Sequence, residues 1–367
     1  MDFELSEDQV ALRDGARDVL DGLADSAKVR VVVERGGGRD DALWGAMVEQ
    51  GWLGVDLPED QGGLGLGPVE VAVLLEEVGR HAAPAPFAST VLAASALARA
   101  GDTTSVERLV NGEAIGCVAW SAEADAVTAV GGSSATAGGT WTLTGRPDPV
   151  PYAPSAALAI VVAATADGPA LFVVDVDAAG RPEAEPAMDQ TRELGWLHFD
   201  ATPATRLGGA DAVGALLDRG ATYSSAELLG ASSRALDLAV GYAKDRIQFD
   251  RPIGSFQAVK HRCADMLVDV EGMRSTVYWA AWCLEASDPD QSVAASTAKT
   301  WCADASKRVM ASALQVHGGI GFTWEHDLHL FMKRAQLDQL QFGDATYHRE
   351  RLAALLRPRV EAGESVI

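Results

Sequence analysis

The chain has 367 residues, close to half of them apolar, which is too much core for one simple layer and points to two or three domains. Thirty basic residues against 52 acidic ones leave a formal charge of −22, a surface that repels nucleic-acid phosphates and anionic membranes. No run of eighteen apolar residues suggests a membrane span, and Cys117, Cys263, Cys283 and Cys302 lack the spacing of a zinc or redox site. The acidic opening MDFELSEDQ lacks the pattern of an export signal, so a reducing cytoplasm is the expected setting.

The first elements read as helical. Ser6 and Gln9 form a capping-box pattern ahead of Leu12, Ala16, Val19, Leu20 and Leu23 at helical spacing. A second helix is expected around Leu43 to Gln50, stopped by Gly51. After a glycine-rich loop from Gln61 to Gly67, which lacks the Lys-Ser/Thr of a phosphate-binding loop, Pro68 opens a helix with Val71, Leu74, Leu75 and Val78 on one face. A further helix is expected from Pro84 to Ala100, stopped by Gly101. Short β-type runs follow: Ile115 to Trp120, Thr140 to Thr144 after an Ala137-Gly138-Gly139 turn, Leu158 to Ala163, and Ala170 to Val176. Trp196 and Phe199 read as core residues of a strand. Helical periodicity returns with Thr222 to Gln248, Phe256 to Ala286 and Gln291 to Val316, each long enough for a four-helix bundle, then short helices near Leu328 and from Ala345 to Leu356. The expected fold class is therefore α+β in three parts: an N-terminal helical domain (1–115), a middle β-domain (116–210) and a C-terminal helical bundle (211–367).

Two segments carry chemistry. In Tyr242-Ala243-Lys244-Asp245-Arg246-Ile247-Gln248-Phe249-Asp250-Arg251-Pro252-Ile253-Gly254-Ser255-Phe256-Gln257, Arg246 and Phe249 are three apart and are expected to share a helix face. An arginine beside a ring suits a nucleotide cofactor, the guanidinium on phosphate and the ring on an apolar part; an ion pair beside a core phenylalanine would leave the same pattern. In Gln315-Val316-His317-Gly318-Gly319-Ile320-Gly321-Phe322-Thr323, tandem glycines at a helix end permit left-handed backbone and close approach of a dinucleotide, though they also serve as plain helix caps.

Together with Gly51-Trp52, Pro58-Glu59 and Gly62-Gly63, these segments resemble the acyl-CoA dehydrogenase family over nearly the whole chain. The resemblance implies a flavoprotein in which a glutamate removes the α-proton of a CoA thioester while the β-hydrogen leaves as hydride to FAD. It also implies that each FAD lies across a subunit interface, the neighbour holding its ADP portion. Cofactor-binding roles then fall on Arg246, Gln248, Phe249, Phe256, Gln257, Gln315, Val316, Gly318 and Gly319.

The chain departs from the family where the base should be. The usual Tyr-Glu-Gly-Thr-like segment is Leu340-Gln341-Phe342-Gly343-Asp344-Ala345-Thr346, with Phe342 in the glutamate's place, and the alternative position near Gly220 holds no acid. The flavin-ring segments are also altered, to Trp120-Ser121-Ala122-Glu123-Ala124-Asp125 and Pro149-Val150-Pro151-Tyr152-Ala153-Pro154, whose prolines lack N–H donors. Residues that would serve a neighbour's FAD remain, and those that would serve the chain's own are gone. The pattern resembles the non-catalytic subunit of an α2β2 bacterial acyl-CoA dehydrogenase, of the kind acting on steroid side-chain CoA esters, with a catalytic homologue, an acyl-CoA substrate and an electron-accepting flavoprotein as partners. Glu227 reads as a relocated base or a buried ion pair, Asp344 as a base or a helix cap, and His326 with His329 as a metal pair or as surface residues; no catalytic or metal-binding residue is assigned.

Overall fold

The computed structural model describes residues 4–131 and 141–365. The turn expected at Ala137-Gly138-Gly139 lies outside them. Helix α1 (Glu7–Leu23) starts at the expected capping box: Ser6 Oγ accepts from the Gln9 amide at 3.2 Å, and Gln9 Oε1 accepts from the Ser6 amide at 3.0 Å. Helix α2 (Ser26–Glu34) is short and was not marked by periodicity. Helix α3 (Asp41–Glu49) begins before Leu43 because Asp40 caps it, accepting from the Leu43 amide at 2.9 Å. Pro68 opens α4 (Pro68–Arg80) as expected. Helix α5 (Phe87–Ala100) starts three residues after Pro84 and stops at Gly101, whose φ is 80°. Helix α6 (Thr103–Val110), capped by Asp102, is a second short helix the spacing did not mark.

The middle of the chain is the expected β-domain. Its strands are β1 (Gly116–Ala119), β2 (Val127–Gly131), β3 (Trp141–Gly145), β4 (Val150–Pro151), β5 (Leu158–Thr165), β6 (Gly168–Asp175), β7 (Leu194–Gly195) and β8 (Phe199–Gly208). The six-stranded sheet runs β1-β5-β2-β3-β8-β6, and β6 pairs back to β5, so the sheet closes on itself. Strand β5 is covered on both sides, which is why Leu158 to Ala163 is a continuous apolar run instead of an alternating one. Phe199 is a buried strand residue, as expected. Trp196 is not: it lies between β7 and β8, half-buried, with the Arg146 guanidinium 3.8 Å over its ring.

The remainder is helical: α7 (Ala210–Asp245), a two-stranded ribbon of β9 (Ile247–Gln248) and β10 (Arg251–Pro252), α8 (Gln257–Glu285), α9 (Gln291–His317), α10 (Leu328–Asp338) and α11 (Ala345–Glu361). Helix α7 begins twelve residues before Thr222 and ends at Asp245, not at Gln248. No helix among the described residues is long and apolar enough to cross a membrane.

The chain forms two compact units, Lys28–Val71 with Pro84–Gly220, and Met1–Ala27 with Ala72–Ala83 and Ala221–Ile367. In the first, the alanine-rich α5 lies close on β1: a Cβ on Gly116 would come within 2.4 Å of the Ala93 Cβ. In the second, α4 and α7 cross so closely that a Cβ on Gly79 would stand 2.2 Å from the Glu227 carbonyl oxygen, and one on Gly230 would stand 1.9 Å from that of Glu76. The crossing buries carboxylates, and each finds a partner. Glu76 accepts from Arg274 Nη1 at 2.6 Å and from the Tyr278 hydroxyl at 2.8 Å, while Glu77 pairs with Arg17 at 2.6 Å.

The crossing yields a contrast within one helix. Gly230→Ala should lower the unfolding free energy by about 3 kcal/mol, because backbone must move to admit the methyl group. Gly241→Ala, where a Cβ meets nothing within 4 Å, should be neutral or stabilise by about 1 kcal/mol. Urea unfolding midpoints of the two variants check this.

Candidate functional site

The residues after α7 expose two large apolar side chains, Ile247 and Phe249. Arg246 is the first residue beyond the helix, so it and Phe249 do not share a helix face as their spacing suggested. The chain turns back in a two-residue hairpin, Gln248 opposite Arg251 and Ile247 opposite Pro252. Such a hairpin needs positive φ at both turn residues, and Phe249 (52°) and Asp250 (61°) supply it. Glycine or asparagine usually takes these places; a phenylalanine there is strained, and its ring is 83 % exposed. The Ile253 amide donates to the Arg246 carbonyl at 2.8 Å and closes the loop. Gly254 then passes under the helix end, where a Cβ would lie 2.8 Å from the Ala243 carbonyl oxygen.

Phe256 precedes α8, its ring edge-on to Phe249 at 6.1 Å and beneath the Arg251 guanidinium at 4.2 Å. The side chains of Gln248 and Gln257 are exposed, as is Arg246, whose guanidinium has no hydrogen bond or ion pair among the described residues. In an acidic chain whose Arg17, Arg274, Arg308 and Arg334 all face carboxylates, that is a cation kept available.

At the end of α9, Gln315 is exposed and Val316 is buried, so Val316 can offer only backbone. Gly318 (φ 61°, ψ −138°) breaks the helix, and Gly319 leaves its surroundings open, a Cβ there meeting nothing within 4 Å. The two segments come together: Tyr242, one turn before Arg246, stacks on His317 with ring centroids 5.0 Å apart. No sequence signal marked that pair. His326 and His329 do not form a metal pair. His326 packs against His317 at 4.3 Å and His329 stacks on Trp324 at 4.5 Å, and the described residues hold no group of three His, Cys, Asp or Glu suited to a metal.

The segment expected to carry the base is locked. Phe342 is buried with φ 56°, and its carbonyl accepts from His348 Nε2 at 2.8 Å. Asp344 caps α11, accepting from the Tyr347 amide at 2.8 Å. Glu227 lies 3.8 Å from Arg334, both buried, and Arg334 also donates to the Ala82 and Ala83 carbonyls. The buried Lys299 amine donates to Ser224 Oγ at 3.0 Å and to the Asp338 carbonyl, and burial pushes its pKa down to about 8. In the other unit, Val150–Pro151 pairs with Leu194–Gly195, Tyr152 is buried with φ 60°, and Ser121 Oγ accepts from the Asp148 amide at 2.7 Å.

Comparison with known proteins decides the family. Residues 6–114 match the acyl-CoA dehydrogenase N-terminal domain and residues 208–356 the acyl-CoA dehydrogenase C-terminal domain. The chain is 36% identical to the acyl-CoA dehydrogenase IpdE2 of Mycolicibacterium smegmatis, over 95% of this chain and 99% of that one. The chain belongs to the acyl-CoA dehydrogenase family. Among solved structures it is similar to a variant of the Tcur3481-Tcur3483 steroid ACAD (TM-score 0.90, 33% identity, 97% of this chain and 99% of that one). It is equally similar to the ChsE4-ChsE5 complex from Mycobacterium tuberculosis (TM-score 0.90, 32% identity, the same coverage).

Members of the acyl-CoA dehydrogenase family bind FAD, and the exposed cluster fits part of that group. The Arg246 guanidinium suits a pyrophosphate, the Phe249 ring an apolar portion, and the open backbone at Gly318 and Gly319 permits close approach.

Burial lowers the His348 pKa from 6.5 to about 4, against the opposing effect of its bond to Phe342. The unfolded chain therefore takes up that proton before the folded one does, and stability is lost as pH falls from about 6.5 to about 4. The loss assigned to this residue is at most about 3 kcal/mol. His348→Gln keeps an N–H donor for Phe342 and should remove that part of the pH dependence, read as urea midpoints at pH 7, 5 and 4.

Proposed function

We propose that this chain is the non-catalytic subunit of an α2β2 acyl-CoA dehydrogenase, holding in trans the ADP portion of an FAD whose reactive ring belongs to a catalytic partner. The observation that carries the reading is the contrast between two ends of one unit. Arg246, Phe249, Gly318 and Gly319 stand open to a ligand, whereas Phe342 occupies the expected base position, buried, with its carbonyl held by His348.

Bound FAD supplies the electron acceptor for α,β-dehydrogenation of a CoA thioester. This chain's share is electrostatic and geometric. Arg246 neutralises pyrophosphate charge, Phe249 with Phe256 shields an apolar part, and the Gly318 turn brings backbone donors close. The catalytic carboxylate comes from the partner, and an electron-accepting flavoprotein takes the electrons onward. Similarity to the Tcur3481-Tcur3483 steroid ACAD and the ChsE4-ChsE5 complex supports a paired assembly acting on a steroid CoA ester.

A self-sufficient homomer would need a displaced carboxylate. Glu227 is committed to buried Arg334, and Asp344 to the first turn of α11, so neither is placed to accept a substrate proton.

Purified alone, the chain should be colourless and inactive. Co-expressed with a family member carrying a carboxylate at the base position, it should give a yellow, active complex with two FADs per tetramer. A yellow, active chain on its own would overturn the reading. In the complex, Arg246→Ala should weaken FAD binding roughly 10- to 100-fold, the value of one charge-assisted contact, measured by flavin fluorescence on dilution.

A further inference from the structure

The expected cofactor residues lie at two helix ends, in the hairpin after α7 that leads into α8 and at the turn after α9. One ring stack joins them, with His317 buried and Tyr242 and His326 half-buried. Tyr242 lies nearly parallel to His317, with 27° between their planes, and His317 meets His326 edge-on at 62°. His317 is 3% exposed and immediately precedes Gly318.

Its polar atoms exclude a direct role. A carbonyl only accepts, so Nδ1 carries the hydrogen in its 2.8 Å contact with the Ala313 oxygen. Nε2 has no hydrogen-bond partner among the described residues and is shielded from solvent, so a ligand outside cannot touch it. An unpaired buried nitrogen is a cost that an apolar ring would avoid. What the position uses is the area and orientation of a flat ring.

The hairpin has few other anchors. Its polar and apolar tips, Arg246, Gln248 and Phe249, are all exposed; Phe249 and Arg251 pack on Phe256 ahead of α8, and Gly254 approaches Ala243 in the last turn of α7, where Tyr242 sits. A loop that wanders must be ordered by its ligand, at a cost in affinity; a loop already held does not.

We infer that His317 is a positioning residue: by stacking on Tyr242 it holds the Arg246 hairpin in register with the Gly318–Gly319 turn, so that both meet one dinucleotide together. This rests on the reading of the exposed cluster as an FAD site. It implies that His317 acts through Arg246, which a merely structural residue would not.

The test is a double-mutant cycle in the complex with the catalytic subunit, read as the FAD dissociation constant. His317→Ala should weaken binding by about tenfold in the wild-type background and by only about twofold beside Arg246→Ala, since coupled residues do not add. His317→Phe, which keeps the stack and removes the unpaired nitrogen, should stay within about threefold of wild type. Equal losses from His317→Ala in both backgrounds, or a loss in His317→Phe matching that in His317→Ala, would overturn the inference alone. If His317→Ala does not assemble, Tyr242→Leu removes the other ring and should show the same coupling to Arg246; additivity there overturns the inference as well. Unchanged flavin affinity in Arg246→Ala would overturn the FAD-site reading and this inference with it.

Discussion

The crossing of α4 over α7 at Gly79 and Gly230 constrains everything else in its unit. Backbones that close leave no room for side chains between them, and they carry Glu76, Glu77 and Glu227 inward with them. A buried carboxylate is tolerable only when paired, so the surrounding helices must present cations and donors at set places: Arg17 from α1, Arg274 and Tyr278 from α8, Arg334 from α10. Breaking one such pair leaves the other charge stranded, which makes the arrangement specific even where its net stabilisation is small.

The segment before α11 is held in a similar way. Lys299 holds the Asp338 carbonyl, His348 holds the Phe342 carbonyl, and Asp344 is spent on a helix cap. Three groups of this segment, the Asp338 and Phe342 carbonyls and the Asp344 carboxylate, are thus engaged in holding the fold. At the rim of the same helices the opposite holds. An arginine without an acid, a phenylalanine in left-handed backbone and a helix ending on two glycines remain uncommitted. Backbone strain and an exposed aromatic ring are unfavourable for an isolated chain, and a ligand that covers them offsets that cost.

The charge distribution points the same way. A chain of net charge −22 repels anions at long range, so an anionic ligand would have to be met by local cations that the protein does not neutralise itself. Arg246 and Arg251 are cations of that kind, one free of acidic partners and the other lying over the Phe256 ring.

Much of the fold was legible in the residues themselves, because capping and periodicity are local. Ser6 with Gln9, Pro68, Gly101 and the apolar run of β5 each act within a few residues, and the order of helices, strands and helices follows from them. Short α2 and α6 escaped because two turns carry little periodicity. The motifs that make up the candidate site were also visible as motifs. Their geometry was not: the helix end at Asp245 turns Arg246 and Phe249 from a shared helical face into a strained hairpin, and spacing alone cannot see where a helix stops without a glycine or proline at the stop. The ring of His317 on Tyr242, the pairing of Glu227 with Arg334 and the bond from His348 to Phe342 join residues 6 to 107 positions apart. Local spacing sets which elements form and which residue types stand at their ends; tertiary packing sets which charges are paired inside and which stay exposed, because that depends on backbones brought together by glycines far apart in the chain.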